Sequence, residues 1–565
     1  MSDIGRGAGT RVAALEERLG DPWDPANPAG FAAIVAADEH EETPEGGRTA
    51  LDDFGILAEF VPSALGGRLE RVDHLVELMR SVYRRDPSLG LGHCSSSLLG
   101  AVNVWTAGSA EQRRYAAGLL LAGEKISCAF HELAHGNDIG SVEFAATPAD
   151  GRLVLNGRKE SITNLDRADA VVFLARTDPD GGPRSSSQLF VPVSDLAPER
   201  IQFLPRFRSV GMRGVRLGGI SLDHCPIDAS KLLGAPGTGM DTVARAFQLT
   251  RIALPAMSTA MLDTALRVTL HHVRGRRLYG RGVADIPMVR TTLANAFADL
   301  LLCEAFAAIA ARSLHMLPEL GSVYAPAVKY LLAGFLLDAV EQLSLVMGAE
   351  FYRRDGEHAV FQKMARDIKP VAFGHIARAA CLSAMLPQLP VLARRAWRDA
   401  APAPAALFIA DGELPPLDLS GLRVVVGRQD GLTGTLRAAL DDDFPASLRP
   451  LVEAHAQRLG SLAEACAALR PRDLSIAASV EVRDLAAAYA SVLAAAACVG
   501  TWRHATPGGF LSRPEWLAAA LTRLTGRALG RPADVPTDVE EVLIDELLDR
   551  HDRSLGFGVS VHRYR

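Results

Sequence analysis

The sequence predicts an α+β protein, mostly α, in four parts. These are an N-terminal helical domain, a central antiparallel β-barrel, a four-helix bundle and an additional C-terminal helical domain. Three observations carry this. Near Ile126 a helical texture gives way to short apolar or alternating runs separated by turn dipeptides. Near Met240 long helical periodicity returns. Residues 398–417 are rich in Pro and Ala, which marks a linker before further helical segments. The predicted domains are residues 1–125, 126–238, 239–397 and 398–565. That division suits 565 residues at roughly 100–200 per domain.

In the first part, amphipathic stretches at Phe31–Glu39, Val72–Arg84 and Glu111–Ala122 read as helices. Ser109 is the expected N-cap of the last and Gly123 its stop. In the second, the runs around 153–155, 170–175, 189–193 and 219–222 read as strands, and Asn156-Gly157 reads as a hairpin turn. In the third, Thr242–Arg274, Asp285–Met316, Val323–Met347 and Phe361–Leu386 have the lengths of antiparallel bundle helices. In the fourth, helical segments are expected at Thr435–Leu440, Ala446–Leu469, Asp473–Val499, Arg513–Arg527 and Val535–Arg553.

Composition excludes several classes. A net charge of −6 provides no bulk basic field for nucleic acid. The seven cysteines are scattered, with no metal-type spacing, which points away from structural zinc and toward a reducing, cytoplasmic setting. Adjacent His271 and His272 point about 100° apart on a helix and cannot easily share an ion. The N-terminus has no apolar core of a signal peptide, and the Ala-rich run at 485–499 is too short to span a bilayer, so no membrane contact is expected.

Four segments then fall in a telling order: GEKISCAFHELAHGND at 123–138, LNGRKESITN at 155–164, VGMRGVRLGGISLDHCPIDASKLLG at 210–234 and RGRRLYG at 274–280. In order and spacing they resemble the acyl-CoA dehydrogenase superfamily, over residues 50–390. The layout with an extra helical domain resembles the long members, very-long-chain dehydrogenases and acyl-CoA oxidases, which implies a homodimer. The resemblance implies FAD held between β-domain and bundle, and an acyl thioester, on coenzyme A or a carrier protein, lying against it. It implies an electron-transfer flavoprotein, oxygen or a flavin reductase as the redox partner.

Carried over residue by residue, His131, Asn137, Ser161, Thr163, Arg276 and Tyr279 fall on cofactor-binding positions, and Asn137 and Arg251 on substrate-binding ones. Ser161 stands where the family has a flavin-side Trp. Arg276 stands where an Arg reaches the FAD pyrophosphate, often across a dimer interface. Two departures stand out. The Gln-x-x-Gly-Gly segment on the adenine side reads SLVMG at 344–348. The catalytic Glu is missing from both places the family keeps it, which are His375 and Thr250 here. His375 is the expected catalytic residue, as a base, since a neutral imidazole accepts a proton at neutral pH, or as a hydrogen-bond donor to an oxygenated substrate or flavin peroxide; the alternative is a helix-cap or core histidine without chemistry. Arg208, Arg213 and Arg216 read either as phosphate contacts or as a solvated loop. Three functions remain open: an FAD-dependent acyl thioester dehydrogenase, a flavin-dependent monooxygenase (epoxidase or hydroxylase) on the same fold, or a non-catalytic binding subunit.

Overall fold

A computed structural model of the chain describes residues 7–528, 530 and 533–564. The N-terminal reading begins on residues 1–6, which lie outside that set. Six helices lead: α1 (Ala8–Leu19), α2 (Phe31–Glu39), α3 (Glu45–Phe54), α4 (Val72–Arg85), α5 (Ser96–Ala107) and α6 (Ala110–Leu121). Ser109 caps α6 as expected. Its hydroxyl accepts the Gln112 N–H at 3.1 Å, and the Gln112 side chain accepts the Ser109 N–H at 2.9 Å. Such a box satisfies two donors that a helix start leaves orphaned. Ahead of α5, Leu89–Ser95 winds as π-type turns. Asn164 of the β-domain anchors there, donating to Ser96 Oγ at 2.8 Å and to the Gly92 carbonyl.

The β-domain comprises β1 (Ile126–Ala129), β2 (Ala145–Ala149), β3 (Arg152–Thr163), β4 (Ala170–Arg176), β5 (Ser186–Pro192), β6 (Ile201–Leu204), β7 (Leu217–Asp228) and β8 (Leu232–Leu233). Their order is β6-β7-β3-β2-β4-β5-β8, with β1 added beside β4. The expected antiparallel barrel is corrected in two respects. β1 and β2 both run parallel to β4, and β6 and β8 do not meet, so the sheet is mixed and open. The turn assignment is corrected as well. Asn156-Gly157 lies inside β3, where the register against β7 slips between Leu155 and Gly157. Gly157 sits at φ 123°, so the dipeptide forms a bulge rather than a hairpin. The turn is made by Asp150-Gly151, both left-handed, between β2 and β3.

Three long helices follow: α7 (Gly239–Arg274), α8 (Pro287–Met316) and α9 (Gly321–Met347). Arg277–Leu278 and Arg281–Gly282 form a two-residue-a-side hairpin, β9 and β10, between α7 and α8. The expected fourth helix, Phe361–Leu386, is broken into α10 (Val360–Asp367) and α11 (Arg378–Met385). Pro370 disfavours helix in the residue before it, and Gly374 follows. The break frees the 368–377 segment, which carries His375. α12 (Leu389–Arg395) then leads to the extension: α13 (Gly431–Ala438), α14 (Arg449–Ala467), α15 (Val480–Arg503), α16 (Pro514–Ala528) and α17 (Thr537–Asp552).

By length and composition α8, the α9 segment and α15 are apolar enough to cross a membrane, yet 89%, 56% and 78% of their apolar windows are buried within the protein. α15 packs as the core of the extension, with Ala490 and Val492–Val499 enclosed. One buried carboxylate, Asp430, ties this extension to the bundle. It accepts from Tyr324 Oη of α9 at 2.6 Å, Tyr489 Oη of α15 at 2.8 Å and Trp397 Nε1 at 3.0 Å.

Candidate active site

The site lies where the end of β1 faces the first half of α7. Beyond β1, Phe130 stacks on Phe247 of α7 with ring centroids 5.5 Å apart. Phe247 in turn packs on the His375 ring at 4.1 Å. One turn along α7 is Thr250, whose Oγ1 lies 2.8 Å from His375 Nε2. The two positions that lack the expected Glu, 125 residues apart in sequence, are therefore hydrogen-bonded to each other.

His375 holds φ 68°, a left-handed conformation that a non-glycine residue rarely adopts. Its turn is fixed by Gly374 N–H to the Pro370 carbonyl at 2.7 Å and by Lys329 Nζ to the Gly374 carbonyl at 3.1 Å. Non-glycine residues held this way cluster at sites where a side chain must be aimed. Burial, then the cations of Arg251 and Lys329 and the His131 ring, push the His375 pKa well below its usual range. The imidazole is neutral at physiological pH. Thr250 Oγ1 also lies 3.4 Å from the Phe247 carbonyl, and in the tautomer where its hydroxyl donates there and accepts from Nε2–H, Nδ1 keeps the free lone pair. His375 and Arg251 are enclosed by protein yet retain accessible surface, as cleft walls do.

The carried-over residues divide. His131 is half-buried on this cleft, its Nδ1 3.3 Å from the Gly136 carbonyl and its pKa lowered by burial. Thr163 ends β3 half-buried, its carbonyl accepting from Ser127 Oγ at 2.8 Å, and its own hydroxyl has no partner among the described residues. Ser161 sits left-handed and exposed at a second bulge of β3. Asn137 is exposed on the loop after β1. Arg276 and Tyr279 are not brought to the cleft of their own chain. They are exposed past the far end of α7, and Arg274 is already about 36 Å along the helix from Thr250 at 1.5 Å per residue. Arg208, Arg213 and Arg216 are engaged by Glu41, Asp38 and Asp166, so the phosphate-contact reading has no free cations behind it.

Sequence reasoning missed Phe130, Phe247 and Lys329. The last had a signal, a lone charge in the apolar run VYAPAVKYLLAGF.

The loop after β1 is held by a buried ion pair. Glu132 accepts from Lys159 Nζ at 2.7 Å and from the N–H groups of Glu143 and Phe144 at 2.9 and 3.1 Å. Lys159 also donates to the Phe130 carbonyl at 3.1 Å. Burial lowers the Lys159 pKa to about 8, which leaves it protonated at neutral pH. Lys159→Met strands the Glu132 carboxylate, and the expected loss is about 3–5 kcal/mol. Urea denaturation checks this. The double variant Lys159→Met/Glu132→Gln should recover a large part of the loss.

The donor set suits a flavin. The Thr163 hydroxyl, without a partner among the described residues, and the half-buried His131 imidazole offer hydrogen-bonding groups to a flat heteroaromatic ring edged with carbonyl and nitrogen acceptors. At the opposite end, exposed Arg276 has no carboxylate partner among the described residues and is free for phosphate. The SLVMG segment contributes less, because Met347 is buried and Ser344 Oγ is spent on the Glu341 carbonyl.

The fold defines the class: a scaffold of helical domain, β-domain and helical bundle. The comparisons agree. Residues 237–375 match the family model "Acyl-CoA dehydrogenase, C-terminal domain". A probable acyl-CoA dehydrogenase of Mycobacterium tuberculosis is 27% identical over 259 residues, 46% of this chain and 66% of that protein. The match thus spans just under two thirds of that relative. An acyl-CoA dehydrogenase from Bacillus anthracis complexed with FAD superposes with a TM-score of 0.70 at 15% identity, covering 97% of this chain and 92% of that one. The prolyl acyl carrier protein oxidase AnaB superposes at 0.58 and 18% identity, covering 66% and 96%. The resemblance to the acyl-CoA dehydrogenase superfamily holds in the fold and in the matched 237–375 segment, and the structural neighbour that covers nearly the whole chain is complexed with FAD.

Proposed function

We propose that this chain oxidises an acyl thioester at its α,β carbons, with the Thr250–His375 pair in the place of the carboxylate base. The 2.8 Å contact between these two positions carries the reading. FAD, when bound, supplies the two-electron acceptor. The protein's part is proton handling and enclosure. The His375 lone pair takes the α-proton, Thr250 fixes the ring's orientation, and the Phe130–Phe247 stack keeps water from the imidazole. A neutral base needs no ionised carboxylate in an already desolvated cleft.

Supporting a homodimer, Arg276 and Tyr279 are exposed far from their own cleft and free to serve a partner's. Supporting a cytoplasmic setting, every cysteine is a free thiol. The thioester carrier, coenzyme A or an acyl carrier protein, is part of the same proposal.

The test is the visible spectrum of the purified protein after FAD reconstitution, followed by anaerobic mixing with a panel of acyl thioesters. Flavin absorption that bleaches with a thioester is expected. Flavin that stays oxidised, with oxygen-dependent product once an external reductant is added, would replace this reading by the monooxygenase. No flavin absorption would leave only the binding subunit.

A further inference from the structure

Among the described residues the cations behind His375 have no counter-ion. Lys329 is 3% exposed, and its only hydrogen bond among them is to the Gly374 carbonyl. Arg251 makes no hydrogen bond or ion pair among the described residues, and its Nε is buried without a partner. The group both sense is the Cys381 thiol, which burial raises to about 11 and keeps neutral. For Lys329 this is out of keeping with the rest of the described residues, where the other fully buried cations, Arg80, Arg84, Lys159, Arg312 and Lys363 among them, each have a carboxylate within 4 Å; Arg251 beside it is half-buried. An uncompensated buried charge costs several kcal/mol. A Glu at position 250 or 375 would have supplied the missing charge, and this chain has Thr and His there.

We propose that Arg251 and Lys329 form an anion subsite on the floor of the cleft, filled by a carboxylate on the substrate's acyl group, so that the substrate class is an acyl thioester bearing a second carboxylate. This rests on the thioester reading above. The chemistry follows from the donors. Arg251 offers a fork that fits a carboxylate and Lys329 a point charge. An apolar acyl chain would leave both cations buried and unpaired. A carboxylated one neutralises them and stabilises the folded protein by mass action.

The experiment uses the FAD-loaded full chain and its Lys329→Met and Arg251→Gln variants. Calorimetric titration compares malonyl-, succinyl- and glutaryl-CoA with propionyl-, butyryl- and pentanoyl-CoA. A parallel arm follows the thermal shift caused by free succinate. At least one carboxylated thioester should bind more than tenfold tighter than its apolar counterpart. That preference and the succinate shift should vanish in both variants. Lys329→Met removes an uncompensated charge together with the hydrogen bond to the Gly374 carbonyl, so it should unfold close to wild type without ligand. Equal affinities in wild type, or a preference that survives both substitutions, overturn the subsite and leave the thioester reading standing. If no thioester binds but the succinate shift is present and lost in Lys329→Met, the thioester reading fails and the anion subsite stands. No thioester binding and no succinate shift overturn both.

Discussion

His375→Ala is expected to keep its flavin spectrum and lose more than tenfold in turnover, within the range of about 10²–10⁴ typical of a general base and at or below its low end if water substitutes. The loss should fall on kcat rather than on KM, because the imidazole acts on the α-proton and not on the carrier. Thr250→Val should cost less. It removes the partner 2.8 Å from Nε2 but leaves the ring against Phe247. The pH profile is the sharper readout. The His375 pKa lies well below 6.5, with burial the largest cause and Arg251 and Lys329 next, so the acid limb of kcat/KM should lie below the ordinary histidine range. The sign for stability follows. The unfolded chain binds this proton more tightly, so the group's contribution is present above about 6.5 and is lost as pH falls toward the folded value. An acid limb at an ordinary 6.5, or unchanged turnover, would return His375 to a structural part.

Asp430→Ala is expected to lower stability by about 3–9 kcal/mol, since three buried donors lose their acceptor at about 1–3 kcal/mol each. The donors come from separate elements: Tyr324 from α9, Tyr489 from α15, and Trp397 from just beyond α12. Asp430 also caps α13 through the Thr433 N–H at 3.4 Å. The damage should therefore be loss of docking as well as loss of stability. Limited proteolysis in the 398–430 connection should quicken in step with the shift in urea midpoint. Asp430→Asn, which retains one acceptor oxygen, should fall between the two. A loss under about 1 kcal/mol for the alanine variant would mean that packing of α15, and not this carboxylate, holds the extension.

The sequence was informative wherever periodicity or local chemistry decides. The 36 residues of α7 and the capping box of α6 could be read from it, because helix period and cap residues are local properties. The β-domain was legible as strands but not as pairing. A strong turn dipeptide, Asn156-Gly157, became a bulge because β7 continues to pair on both sides of it, and that partner lies some 65 residues downstream. The expected fourth bundle helix was broken by Pro370 and Gly374, a signal present in the sequence and outweighed by the apolar pattern around it.

The site divides in the same way. Order and spacing of four segments carried the resemblance to the superfamily scaffold, and through it the expectation of FAD and of two positions without the usual carboxylate. That Thr250 and His375, the two positions without a carboxylate, are a contacting pair was decided only by tertiary structure. So were the neutrality of His375 and the absence of any counter-charge for Lys329 and Arg251. The reason is physical. Residue type and spacing set what each segment can form by itself. The charge state of a side chain and the identity of its partner depend on which distant segments exclude water from it, and that becomes defined only when α7, α9 and the 368–377 turn close on the same cleft.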